Sequence, residues 1–418
     1  MIHTLVVGTG GREHALVRAL TLSPSKSKIF AWPGSDGIFA MAERVPVAAG
    51  DFSGLSRWAA EKEIDLVIIG PEAEIVAGLS DELRAHNIPV FAPSSEAAQL
   101  EGSKIFAKKF MEEFSIPTAR ASVVDSVHKT MSAAKEYKPP YVLKADGLAA
   151  GKGVFICKDP EELRAAAVSL FDEKKFGTAG ERALLEEFQR GEELSVLALT
   201  NGSSFEVLPL CRDHKRLKDG DQGPNTGGMG VVGPIAISKK LSQEILKQVV
   251  EPTIMGLKKR RFLYRGVVFI GIMMTSTGPM VLEYNVRFGD PETQVLLPLM
   301  DGDWSDVFLK ISRGEMPKLK WSSSSAACVV LAAQGYPDAP VKNAPISGDL
   351  EGDTHCYVLH AGTKMQERGY VTNGGRVLNV VAVGSDLREA LSRVYQKIEH
   401  IQWPGVQYRR DIGSSSLD

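Results

Sequence analysis

The chain is 418 residues long, room for two to four domains at roughly 100–200 residues each. Hydrophobic residues make up 44% and charged residues 24%, the balance of a soluble globular protein, and a formal net charge of -2 leaves no basic footprint for nucleic acid or an acidic membrane surface. No apolar run approaches the ~20 residues of a membrane span. The chain starts on a strand-like Leu5-Val6-Val7 without the basic and apolar regions of a signal peptide, so a cytoplasmic protein is expected. Cys157, Cys211, Cys328 and Cys356 lie far apart and form no C-x-x-C pair, which argues for free, buried thiols over zinc ligands or disulfides.

Residues 1–102 alternate short apolar runs with helical patterns. Ile2–Val7, Ile64–Ile69 and Ile88–Ala92 read as strands, Glu13–Leu20 and Glu74–His86 as helices, and Asp51 as the N-cap of a helix carrying Trp58. Such alternation predicts a parallel sheet with crossover helices. A helix is expected over Ser103–Phe114, then strands over Tyr141–Ala145 and Val154–Cys157 on either side of a glycine-rich loop. Asp159-Pro160-Glu161-Glu162 is a helix start, with Asp as N-cap and Pro at the first helical position. Strands follow at Ala183–Phe188, Leu194–Thr200 and Phe205–Leu210. Asp213–Gly233 is polar, glycine-rich and without periodicity, a long loop of the kind that is functional or disordered. A helix over Ser242–Lys259 precedes strands at Gly266–Met274 and Met280–Tyr284. Ser322–Ser325 mark a boundary; beyond it, strands at Ala326–Ala332, Tyr357–Leu359 and Arg376–Val383 and a helix over Asp386–Ile398 make a small α+β module.

Within this frame, Gly8-Thr9-Gly10-Gly11-Arg12-Glu13-His14 joins the first strand to the first helix, where glycines let the backbone approach an anion at a helix N-terminus. It falls short of the dinucleotide fingerprint: Glu13 replaces the third glycine, and Trp32-Pro33-Gly34 stands where an acidic residue should end the second strand. A small phosphate-bearing substrate suits this turn better than NAD; the plain alternative is a turn needed only for packing. Lys144–Gly153 fails as a P-loop, because only three residues separate Gly147 from Gly151 and Gly153 follows Lys152. It reads instead as a glycine loop between strands that folds over phosphates, with Lys144 and Lys152 supplying charge. Glu186-Glu187-Phe188 ends a strand and could present backbone groups to an adenine edge, with Glu193 near ribose hydroxyls; an acidic solvated turn is the simpler alternative. Period two along a strand puts Glu283, Asn285 and Arg287 on one face: a carboxylate and an amide oxygen suited to Mg²⁺, beside a cation for a carboxylate or a transferring phosphoryl group. Asp213-His214-Lys215-Arg216 and the loop Gly223–Gly230 could wall a small polar substrate.

Together these segments resemble the phosphoribosylamine–glycine ligase family of ATP-grasp enzymes. The resemblance rests on Gly10–Ala15, Gly70-Pro71-Glu72, Leu100–Lys104, Lys144–Gly153, Glu186–Phe188, Asp213–Arg216, Gly223–Gly230, Arg287–Gln294, His360–Thr363 and Thr372–Val377, in order along nearly the whole chain. It implies an α/β and α+β fold: an N-terminal parallel-sheet domain (1–102), an ATP-grasp domain (103–325) with a small lid at about 122–190, and a C-terminal α+β domain (326–418). The implied reaction joins glycine to 5-phosphoribosylamine in purine biosynthesis, ATP going to ADP and phosphate through glycyl phosphate, with Mg²⁺ or Mn²⁺. The resemblance puts Lys104, Lys144 and the loop Gly147, Gly151, Lys152 and Gly153 on ATP phosphates, Glu186, Glu187 and Phe188 at adenine, and Glu193 at ribose. Glu283 and Asn285 become metal ligands, Arg287 and Lys144 catalytic, and Gly10, Gly11, Arg12, Glu13, His14, Glu72, Asp213, His214, Lys215, Asn225, Gly289 and Asp290 substrate-binding. The expected partners are small molecules only, on a monomer or weak homodimer. Three positions depart from the family pattern: Val267–Met274 carries no acidic metal ligand, Arg212 replaces a glutamine, and Val286 replaces a cysteine or similar small residue. A biotin carboxylase-like enzyme and a non-catalytic nucleotide-binding regulator are the competing readings, opposed by the Arg287–Gln294 run and by the intact Glu283, Asn285 and Arg287.

Overall fold

A computed structural model describes residues 1–149 and 151–416. The apolar strand Ile2–Gly8 forms the centre of a five-stranded parallel sheet, flanked on one side by Ser27–Pro33 and Glu43–Arg44 and on the other by Leu66–Ile69 and Val90–Phe91. Chain order therefore reverses beside the first strand, and its C-terminal end opens a crevice of the kind where ligands bind in such sheets. The turn Gly8-Thr9-Gly10 emerges there and leads into the helix Gly11–Leu22.

Antiparallel strands Ala121–Val124, Ala183–Glu187, Tyr141–Ala145 and Val154–Cys157 form a second sheet with its own apolar core around Leu143, Leu163 and Leu185. Lys144 pairs in register with Val154, so the glycine loop spans a hairpin as expected. A third sheet orders Phe205–Val207, Glu192–Thr200, Gly266–Thr275 and Gly278–Asn285. The last strand carries Glu283 opposite Gly271. A fourth sheet holds Ser325–Ala332, Arg376–Gly384 and Cys356–His360, extended by Arg212–Asp213 and Gly230–Gly233 from the middle of the chain. That extension ties the Asp213 region to the C-terminal part.

Local signals hold where they depend on near neighbours. Asp51 accepts from the Gly54 N–H, Asp159 from those of Glu161 and Glu162, and Asp386 from that of Glu389. Three readings need correction. The helix expected over Glu74–His86 is two, Glu72–Val76 and Leu79–Ala85, parted at Gly78, whose φ of +93° is left-handed. The helix expected over Ser242–Lys259 begins at Lys239 and widens into a π turn at Leu246–Val250. Pro252 supplies the reason, since it lacks an N–H and its ring crowds the preceding turn. Asp213–Gly233 is not a continuous loop: Arg216–Lys218 and Gln222–Asn225 pair as a hairpin, and Gly230–Gly233 joins the fourth sheet. The four cysteines are free, with Cys157, Cys211 and Cys328 buried.

Candidate active site

A cavity of about 690 Å³ lies where the first, second and third sheets converge, roofed by the glycine loop and closed on one side by the C-terminal part. Its cations come from different elements. Lys104 opens the helix Lys104–Glu113, which Ser103 caps through the Phe106 N–H, and its Nζ donates to the Gly147 carbonyl at 3.3 Å. Lys144, on its strand, donates to the Leu282 carbonyl at 3.0 Å and lies 2.8 Å from Glu186 Oε2. Glu186 is 4% exposed and holds Lys108 as well, at 2.9 Å through Oε1. Burial lowers Lys108, while at Lys144 burial is outweighed by Glu186 and the amine is held above its ordinary range.

Glu283 is the focus of the charge arrangement. Burial pushes its carboxyl up, but Lys215, Lys144, Lys104 and Arg287 together hold it below the usual carboxylate range, so it is anionic at neutral pH. Asn285 sits on the same face two residues on, its Oδ1 accepting from Arg287 Nη2 at 3.0 Å. That oxygen has a second lone pair free for a cation. A hard carboxylate oxygen and a hard amide oxygen fit a divalent ion that completes its shell with water and phosphate oxygens. No cluster of three or more acidic, His or Cys side chains offers a larger metal shell among the described residues.

Arg287 lies just past the end of its strand. Its guanidinium donates to Glu72 Oε2 at 3.1 Å and Glu101 Oε1 at 2.9 Å. Glu101 Oε2 in turn accepts the Val286 N–H at 2.7 Å, and burial raises its carboxyl to about 7 despite the arginine. Asp290 is held below its usual range, burial being overcome by Arg376 and Arg12; its Oδ1 accepts from Gln294 at 2.9 Å. Gly289, Asn225, Lys215 and Asp213 also line the cavity, as do Glu187, Phe188 and the exposed Glu193.

Several expected site residues lie elsewhere or are already engaged. At the first glycine turn, Glu13 Oε2 accepts the Gly10 N–H at 2.7 Å, and Oε1 lies 2.6 Å from Arg12 Nε. The chain's own carboxylate thus caps the N-terminus of the helix Gly11–Leu22. Gly10, Arg12 and Glu13 line the cavity, but Gly11 packs on Asn379, and a Cβ there would fall 2.2 Å from its Nδ2. His14 turns away: its Nδ1 accepts the His360 N–H at 2.9 Å and the two rings stack, and burial lowers it to about 3. His214 is also turned away, its Nδ1 against the Gly230 carbonyl at 3.1 Å and its Nε2 accepting the Gly413 N–H at 3.1 Å. Gly151 and Gly153 line the cavity, Gly147 contributes its carbonyl to Lys104, and Lys152 is exposed.

Residues without an assigned role complete the site. Glu101 and Glu292 stand inside runs that sequence comparison singles out, yet nothing local marks them as buried ion partners. Glu292 is 3% exposed and accepts from Ser195 Oγ at 3.0 Å. Lys108 reads as an ordinary helix lysine. Arg376 reaches in from the fourth sheet and donates to the carbonyls of Asp290 at 2.8 Å and Gly227 at 2.5 Å.

Comparison with known proteins agrees across the chain. The phosphoribosylglycinamide synthetase N domain matches residues 2–101, the ATP-grasp (A) domain of that family residues 102–293, and its C domain residues 326–415. The phosphoribosylamine–glycine ligase of Caldanaerobacter subterraneus subsp. tengcongensis is 40% identical, over 98% of this chain and 99% of its own. That of Caulobacter vibrioides is 43% identical, over 99% and 98%. The crystal structure of the phosphoribosylamine–glycine ligase from Thermotoga maritima superposes with a TM-score of 0.87 at 36% identity, covering 98% of this chain and 100% of that one. A biotin carboxylase domain from Hydrogenobacter thermophilus shares the fold alone, with a TM-score of 0.76 at 17% identity over 97% of this chain and 91% of that one.

Proposed function

The chain belongs to the phosphoribosylglycinamide synthetase family, whose activity is the ATP-dependent joining of glycine to 5-phosphoribosylamine in purine biosynthesis, and from that premise we propose how its cavity carries out the ligation. It is an ADP-forming carbon–nitrogen ligase. A carboxylate is a poor acylating agent, so ATP first phosphorylates glycine, and the amine of the sugar phosphate then displaces phosphate from the glycyl phosphate. Phosphoryl transfer of this kind needs positioning and charge neutralisation more than a protein nucleophile.

The observation that carries this reading is the convergence of Lys104, Lys144, Lys215 and Arg287 on Glu283 within one cavity. Lys104 and Lys144 bind ATP phosphates under the glycine loop, and Glu187 and Phe188 border adenine. Glu186 lines the cavity and holds Lys144 through one oxygen and Lys108 through the other. Glu283 and Asn285 hold Mg²⁺ or Mn²⁺, which neutralises phosphate charge when bound. Arg287, fixed by Glu72 and Glu101, steadies the acyl phosphate. The edge formed by Gly10, Arg12, Glu72, Asp213, Lys215, Asn225 and Asp290 receives glycine and the amine.

The test is ADP release by purified protein with Mg²⁺-ATP and glycine, with phosphoribosylamine made in situ, and with both. Stoichiometric release of ADP and glycinamide ribonucleotide only with both substrates is expected. Turnover independent of glycine would overturn the reading.

A further inference from the structure

When an amine attacks an acyl phosphate, the nitrogen is left with one proton too many, and amide formation stalls until a base removes it. Most carboxylates of the cavity are already committed. Glu13 holds Arg12 and the Gly10 N–H, Glu72 and Glu101 hold Arg287, Glu186 holds two lysines, Asp290 holds Gln294 and Arg376, and Glu292 accepts from Ser195. Two retain a buried oxygen without a partner, Glu74 Oε2 and Asp213 Oδ1. The charged neighbours of Glu74 are Glu13, Glu72 and Arg12, none of them a lysine of the phosphate site.

Asp213 is placed differently. Its side chain is 6% exposed, and Oδ2 lies 3.8 Å from Lys215 Nζ, the cation that acts most strongly on Glu283. Its strand is pinned by pairing of Asp213 with Val231 in the fourth sheet. Gly228 keeps the space at the free oxygen open: it has φ of +108°, and a Cβ there would fall 2.8 Å from Oδ1. The oxygen is thus buried and without a protein partner beside Lys215, at the edge of the phosphoryl centre.

We propose that Asp213 is the base of the ligation step, accepting the proton that the amine nitrogen of 5-phosphoribosylamine loses as it bonds to the glycyl carbonyl carbon. The proposal rests on the acyl phosphate reading above. The nitrogen lone pair forms the C–N bond, and its excess proton passes to the Asp213 carboxylate. Collapse then breaks the C–O bond to phosphate, and the departing phosphate takes the proton from Asp213, so no further reactant is needed. The groups facing Asp213 suit the task. Burial and then Glu292 push its carboxyl up to about 7 against Lys215 and Arg376, with Glu193 adding to the rise, so it is partly ionised at neutral pH and basic enough to act.

The test is Asp213→Asn in the full chain, read in three ways. With glycine and no amine, exchange of oxygen label between bridging and non-bridging positions of ATP reports glycyl phosphate. Trapping with hydroxylamine reports acyl transfer to a weakly basic amine that needs little help in losing its proton. Ligation to phosphoribosylamine reports the full reaction. The kcat for phosphoribosylamine is expected to fall by about 100-fold or more, and exchange and trapping much less. An unchanged kcat, a loss confined to KM, or exchange falling together with ligation overturns the proposal. If the variant does not fold, the wild-type pH profile decides. The kcat for phosphoribosylamine should fall on the acid side of about 7 while hydroxylamine trapping does not, and parallel profiles overturn the assignment. A wild type that shows neither exchange nor trapping removes the acyl phosphate reading itself, and the proposal with it.

Discussion

Glu186 holds two ammonium groups in a nearly dry place, and Glu186→Gln removes only its charge. The amide keeps the shape but has one acceptor oxygen, so one lysine meets an N–H donor. Lys108 and Lys144 have side chains 7% and 10% exposed, so neither gains water in exchange. Removing one partner of a buried ion pair costs about 3–5 kcal/mol. Lys108 keeps Thr118 Oγ1 at 2.8 Å and the Ala119 carbonyl at 2.9 Å, and Lys144 keeps the Leu282 carbonyl at 3.0 Å, which argues for the lower end, about 3 kcal/mol. Urea unfolding followed by circular dichroism at neutral pH measures this, with hydrogen exchange of the Ala183–Glu187 amides locating it. Adding Lys108→Met to the variant deletes one orphaned charge and should recover about 1 kcal/mol or more. The pH dependence has a definite sign. Burial raises the Glu186 carboxyl, but Lys144 and Lys108 hold it below its ordinary value, so it binds protons more weakly folded than unfolded. Its contribution is complete above the unfolded pKa of about 4.3 and is lost as pH falls through the folded one. The gap between wild type and variant should hold steady above about pH 6 and close in acid. A single variant within about 0.5 kcal/mol of wild type, or a double variant no better than the single, would refute the reasoning.

Glu283→Ala should remain folded by circular dichroism yet lose about 100-fold or more in turnover; near-normal kcat at ordinary Mg²⁺ would remove its metal role. Arg12→Ala should raise KM for phosphoribosylamine by about tenfold, a charge-assisted contact's worth, with KM for ATP much less affected; equal effects would move Arg12 out of the amine site. His214→Phe strands the Gly413 N–H, while the Gly230 carbonyl keeps the backbone N–H of residue 214, so it should cost about 1 kcal/mol in unfolding while leaving both substrate KM values unchanged. A rise in either KM would return His214 to the substrate site.

What the sequence determined by itself is local in physical origin. Caps at Asp51, Asp159 and Asp386 depend on N–H groups within three residues, so they are readable from spacing. The parallel sheet follows from buried apolar runs such as Leu5-Val6-Val7, and Glu283 and Asn285 share a face because strand side chains alternate. His214 and Lys215 lie between the strands Arg212–Asp213 and Arg216–Lys218, where no strand period could tell one side from the other. Tertiary structure decided the rest, because orientation there depends on partners distant in the chain. Gly413 claims His214, His360 claims His14, and Glu13 closes the turn that its own glycines open. Glu101, Lys108, Glu292 and Arg376 have ordinary sequence neighbours. They belong to the site because packing removes them from water and only each other's charges, or nearby backbone carbonyls and hydroxyls, can compensate.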